Sequence, residues 1–260
     1  MVGGLNLIDL TKDRSVTATS LWVEAAATLD ATDLLVAYDD LKGRAPMRGR
    51  RQKPHFVGHT GVPSTGAATN RNEEHLAIAL VNDQPRWRLG DTGHLDLVDY
   101  QVPLKARRDD KGIGKVDLFA VSSDDAPVVI ELKVVRPGGS ADTPLHAFIE
   151  ALGYSAIVER NHRTINSELS GMYRRRLIAE RPWVVVAAPD DYWAAWDGRP
   201  MTSTWRHAMG DLCGRLAVEL QTPILFVGLG TPSVELGLNH RPPHLLSEAK
   251  PHIMESWDPA

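Results

Sequence analysis

Three charged residues stand where apolar ones are expected. Asp117 lies early in the run "GKVDLFAVSS", and Glu131 and Lys133 interrupt "VVIELKVV", residues 128–135. Both runs are otherwise rich in β-branched and aromatic residues, the composition of buried strands. An isolated charge inside such a sheet costs on the order of several kcal/mol, whereas acids and a lysine placed together offset one another or hold a cation. Carboxylate oxygens suit a hard divalent ion, Mg2+ or Mn2+, which keeps several waters and can also accept a phosphate oxygen. A lysine at that place can orient or deprotonate an attacking water, or stabilise a pentavalent phosphoryl transition state. Metal-dependent phosphodiester hydrolysis is the chemistry these three residues suit.

Positioning them is the task of the surrounding elements. The turn signal "SSDDAP" between the two runs predicts a hairpin, in which Asp117 and Glu131 occupy nearby places on adjacent strands. Alternation then puts Glu131 and Lys133 on one face. Residues 143–161 carry Leu145, Phe148, Ile149, Leu152, Ala156 and Ile157 at three- and four-residue spacing, which predicts a helix lying on the sheet. Upstream, "NRNEEHLAIALVN" reads as a helix capped by Asn70 with acids in its first turn, and "WRLGDTGHLDLVDYQVPL" as two short strands. Downstream, the β-rich runs "PWVVVAAP" (182–189) and "TPILFVGLG" (222–230) bracket a helix at about 203–220.

In this order the elements resemble the core of the PD-(D/E)XK nuclease superfamily: an acid on one strand, "GKVDLFAV", then Glu-X-Lys on the next, "VVIELKVV". The resemblance covers about residues 70–160. It implies a restriction-endonuclease-like three-layer α/β fold, with a central mixed β-sheet flanked by α-helices. It also implies a Mg2+-dependent (or Mn2+-dependent) deoxyribonuclease with a role in defence, restriction or repair. Asp117 and Glu131 would be the metal ligands and Lys133 the residue that assists water. In that superfamily an upstream helix commonly adds an acid, here Glu73 or Glu74. Glu73 shares a face with Leu76 and Leu80, Glu74 with Ala77, Ile78 and Val81, and both faces can point inward. The downstream helix often presents Gln and Tyr to the site; Tyr154 matches, while Glu150 stands where Gln is usual. Val116 replaces the Pro of the family name, a frequent departure. A nuclease-like domain that binds nucleic acid or a protein partner without cutting is the alternative.

The 260-residue chain is 43% hydrophobic and 24% charged, which is an ordinary globular composition. No window approaches the roughly 18–20 apolar residues that cross a bilayer, and no secretory leader is recognisable. One cysteine, Cys213, precludes an internal disulfide, so a cytoplasmic location is expected. The net charge of −4 argues against a whole-surface attraction to nucleic acid but leaves room for local basic tracks. Arg48, Arg50, Arg51 and Lys53 form one such cluster and Lys105, Arg107, Arg108 and Lys115 another; both are candidate DNA contacts. A third lies in "YRRRLIAERP". A homodimer would suit double-strand cleavage.

The ten histidines have no accompanying cysteines and do not point to zinc. "GIGKVD" leads into a strand and is no phosphate-binding loop. Trp183, Trp193, Trp196 and Trp205 read as packing residues. The expected division is an N-terminal helical segment with a basic loop (1–69), the nuclease-like domain (70–235) and an irregular tail (236–260).

Overall fold

The structure is a computed structural model that describes residues 4–48, 54–56, 72–135, 142–199, 204–236 and 241–254. Four helices come first, α1 (Leu7–Leu10), α2 (Arg14–Thr17), α3 (Trp22–Thr28) and α4 (Ala31–Arg44). They are followed by α5 (Asn72–Asp83) and the strands β1 (Arg86–Arg88), β2 (His94–Pro103), β3 (Lys115–Ser122) and β4 (Pro127–Leu132). The second half runs α6 (Pro144–Arg160), α7 (His162–Tyr173), β5 (Trp183–Ala188), α8 (Asp190–Asp197), α9 (Trp205–Leu220) and β6 (Ile224–Gly228). Three two-residue strands close it, β7 (Val234–Glu235), β8 (His244–Leu245) and β9 (His252–Ile253).

Seven strands form one mixed sheet in the order β1-β2-β3-β4-β5-β6-β9. The first four are antiparallel, β4-β5 and β5-β6 pair in parallel, and β9 returns antiparallel to β6. Side chains alternate between two cores. Val129, Val184, Val186 and Phe226 face α4, α6 and α9, while Val128, Ile130, Leu132, Val185 and Val227 face the side that α5 covers. Helices therefore flank the sheet on both faces.

Local chemistry places the elements. Thr143 accepts from the His146 amide at 3.1 Å with Pro144 at the first helical position, so α6 starts there. The β3–β4 turn closes as Ser122 Oγ accepts from the Ala126 amide, with Asp125 in the left-handed region at φ 58°. Trp22, Trp193, Trp196, Trp205 and Phe226 form a chain of ring contacts, including a Trp193–Trp205 stack at 6.0 Å, that joins α3, α8, α9 and β6. All five are buried, as is Trp183, in keeping with packing roles. Cys213 is buried within α9.

Contacts run across the divisions expected from sequence. The N-terminal helices belong to the same core as α6 and α9 rather than to a segment apart. Tyr38 and Lys42 of α4 both bond Glu159 of α6, at 2.7 and 2.6 Å. The tail is not wholly irregular, since β8 pairs with β7, β9 extends the main sheet, and Gln84 exchanges two hydrogen bonds with the Ala249 backbone. Asn70, the expected helix cap, lies outside the described residues. No described helix is long and apolar enough to cross a membrane.

Residues 54–56 form a buried anchor. Phe56 packs edge-on to Phe119 at 5.2 Å, and the His55 and Phe56 amides donate to Glu168. His55 is fully buried and its Nδ1–H donates to the Pro103 carbonyl at 3.1 Å. Burial, reinforced by Arg48, pushes its pKa down from 6.5 to about 4. The unfolded chain then binds a proton that the fold refuses between these values, so acidification from pH 6.5 toward 4 should cost stability. The full cost is about 3 kcal/mol. Urea unfolding of wild type and His55→Gln across that range checks this: the difference between the two should fall with pH, and parallel profiles would refute it.

Candidate active site

The hairpin brings Asp117 and Glu131 together at the point where its strands part. Backbone pairing between β3 and β4 reaches Leu118↔Ile130, and one further step of that register sets Asp117 against Glu131. There the ladder is replaced by a side chain, as the Leu132 amide donates to Asp117 Oδ2 at 3.0 Å. On its other side β4 remains paired to β5 through Glu131↔Val186 and Leu132↔Ala187, and the Lys133 amide donates to Ala187. Glu131 and Lys133 are thus rigidly held while the β3 side opens. Asp117 is half-buried; Glu131 and Lys133 are each 4% exposed.

Lys133 Nζ is the hub. It donates to Glu131 Oε1 at 2.7 Å and to Glu150 Oε2 at 2.9 Å, and Asp142 Oδ2 lies 3.6 Å away. His146, one turn before Glu150 on α6, approaches the same Glu150 oxygen at 3.7 Å. Burial alone would lower the Lys133 pKa, but Glu131, Glu150 and Asp117 outweigh it and hold it well above the usual lysine value. The surrounding acids thus favour the ammonium form of Lys133, which can orient a water or neutralise developing charge.

Both acids are pushed upward. Burial, then repulsion from Asp117, pushes Glu131 well above the usual glutamate range even against Lys133. Burial likewise raises Asp117, offset by Lys133 and the Leu132 amide. Glu131 Oε2 is buried with no hydrogen-bond partner. A buried carboxylate oxygen without a donor, beside a second acid, fits a cation ligand better than it fits an ion pair. Among the described residues no three His, Cys, Asp or Glu side chains form a group that could hold a metal ion.

The first turn of α5 carries the two acids considered from sequence. Glu73 is half-buried and acts electrostatically on Lys133 and on Tyr192; Glu74 is only 8% exposed. On α6, Tyr154 lies near Glu131, Glu150 and Asp117, where burial and these acids raise its pKa. Its hydroxyl rests against Gly114, at a spot that any side chain on residue 114 would occupy. "GIGKVD" thus serves packing, since Gly112, at φ 74°, likewise admits Ile8 of α1.

The expected cations divide. Lys105, Arg107, Arg108 and Lys115 are exposed on the β2–β3 connection and its exit into β3, at the Asp117 end of the strand. Arg48, by contrast, is 8% exposed and its guanidinium donates to the carbonyls of Lys105 and Pro54 at 2.9 and 2.7 Å. Arg50, Arg51 and Lys53 lie outside the described residues. Two site residues carried no sequence signal. Asp142 follows the hairpin at a distance, and Gln101 of β2 donates to Asp117 Oδ1 at 2.7 Å.

The fold is a mixed α/β architecture with helices on both faces of one large sheet, and the site is a buried cluster of acids around one ammonium. Comparison with known proteins finds no family model, no curated protein and no solved structure that matches the chain.

Proposed function

We propose that this chain is a divalent-metal-dependent nuclease of the PD-(D/E)XK type, with a restriction-endonuclease-like core, that hydrolyses phosphodiester bonds in DNA. The observation that carries the reading is the buried Glu131 oxygen without a donor beside Asp117, with the Lys133 ammonium on the same face. Asp117 and Glu131 would hold Mg2+ or Mn2+, with Glu73 close enough to add charge. The ion, when bound, supplies an acidified water and a counter-charge for the scissile phosphate. Lys133 contributes a fixed positive charge to the same phosphate and a donor that aligns the attacking water. Glu150 and Glu131 hold that ammonium in place, and Tyr154 closes the site against Gly114. Lys105, Arg107, Arg108 and Lys115 would follow the DNA backbone leading to the cleft, without reading sequence.

A second reading keeps the scaffold and drops the chemistry. It is favoured by one feature: Lys133 already neutralises Glu131 and Glu150, so the apo site is an internally paired cluster. Incubation with supercoiled plasmid and with single-stranded DNA, in Mg2+, Mn2+ or EDTA, separates the two. Cleavage in either metal that stops in EDTA is the expected result; DNA retention in all three without cleavage establishes the second reading instead.

A further inference from the structure

Gln101 carries an unusual backbone for its place. It lies within β2 between the pairs Tyr100↔Leu118 and Val102↔Val116, directly across from Asp117, yet its φ is +50°. Glycine adopts that conformation freely and glutamine does not. Strain of this kind persists only where surrounding structure enforces it, and it collects at functional sites. What the conformation achieves here is specific: the side-chain amide reaches Asp117 Oδ1 at 2.7 Å, while Asp117 Oδ2 takes the Leu132 amide. Each oxygen of this carboxylate thus takes one amide donor, and the Glu131 carboxyl lies within hydrogen-bonding reach of it. An amide donor cannot ionise and cannot accept through its nitrogen, so the bond orients the charged form of Asp117 in the presence of Glu131.

The geometry points to Gln101 as a positioning residue for the metal centre: by holding Asp117 Oδ1, it sets the orientation in which Asp117 and Glu131 share one divalent cation. This rests on the metal-dependent reading above. Outer hydrogen bonds of this type typically govern affinity by about 10- to 100-fold.

Gln101→Gly is the informative substitution, because it removes the amide and at the same time relieves the backbone. Mn2+ binding is measured by titration calorimetry on wild type, Gln101→Gly and Asp117→Asn, with thermal melts of each apoprotein. The expected result is a melting temperature for Gln101→Gly equal to or above wild type, with Mn2+ bound roughly 10-fold or more weakly. In cleavage assays its Mg2+ requirement should rise while the rate at saturating Mg2+ changes little. Wild-type Mn2+ affinity in Gln101→Gly, with binding lost in Asp117→Asn, would overturn the role of Gln101 alone. Unchanged binding in Asp117→Asn, or none in wild type, would overturn the metal-centre reading together with it. A Gln101→Gly protein that melts well below wild type and binds Mn2+ normally would make the residue merely structural.

Discussion

Replacing Lys133 with methionine is expected to damage the protein twice. Cleavage of DNA should fall by roughly 100- to 10,000-fold, the range for removal of a positioned proton-handling or charge-stabilising group. The fold should also lose about 3–5 kcal/mol at neutral pH, the cost of removing one partner from a buried ion pair. Lys133 and Glu131 are each 4% exposed, so water cannot replace the ammonium, and Glu131 and Asp117 would be left to repel one another. The sign of the pH dependence follows. Glu131 has its pKa raised in the fold, so what it contributes is present below its ordinary value of 4.5 and is lost as pH climbs toward the folded one. Without Lys133 that loss deepens. The stability deficit of Lys133→Met should therefore be largest at neutral pH and shrink as the pH is lowered toward 4.5. Chemical denaturation of both proteins at several pH values checks it, and a deficit that does not vary with pH would refute the argument.

Glu131→Gln should separate activity from stability. On the proposed reading the substitution removes a metal ligand, and loss of several kcal/mol of transition-state stabilisation corresponds to on the order of a 1000-fold slower cleavage. Stability should nevertheless be held or raised, because the lost charge is one that burial and Asp117 already disfavour. Lys133 would keep Glu150 at 2.9 Å and Asp142 at 3.6 Å as partners. Sites that bind ions commonly sacrifice stability in the empty state, and this is the residue at which the sacrifice is concentrated. The measurement is a melt beside a plasmid assay. A variant that melts far below wild type yet still cuts would make Glu131 a structural counter-ion of Lys133.

The hairpin and α6 were legible because each carries a local signal. Asp117, Glu131 and Lys133 are conspicuous against apolar runs, and the Thr143-Pro144 start of α6 is written in adjacent residues. What was not legible depends on distant partners. Arg48 reads as one of a row of cations, but its guanidinium and amide are claimed by Lys105 and Asn161, 57 and 113 positions away. Helix α7 buries only His162, Ile165 and Leu169, too few apolar positions to announce itself, and α8 is eight residues long. The strands β8 and β9 have two residues each and exist through the strands they join. Gln101 is ordinary in sequence, and its role shows only in a dihedral angle and in what lies opposite. That Glu73 acts electrostatically on Lys133 likewise depends on the orientation of α5, since both helix faces are apolar.

The contact between Tyr154 and Gly114 has a consequence for how such a protein can diverge. The hydroxyl fills the place a Cβ at residue 114 would take, so the ring cannot stay where it is if residue 114 acquires any side chain. Substitution at either position changes what is acceptable at the other: a smaller residue at 154 frees 114 to vary, and a larger one at 114 evicts the ring. The two positions, 40 residues apart in the chain, are therefore expected to vary together, with a smaller residue at 154 accompanying any side chain at 114.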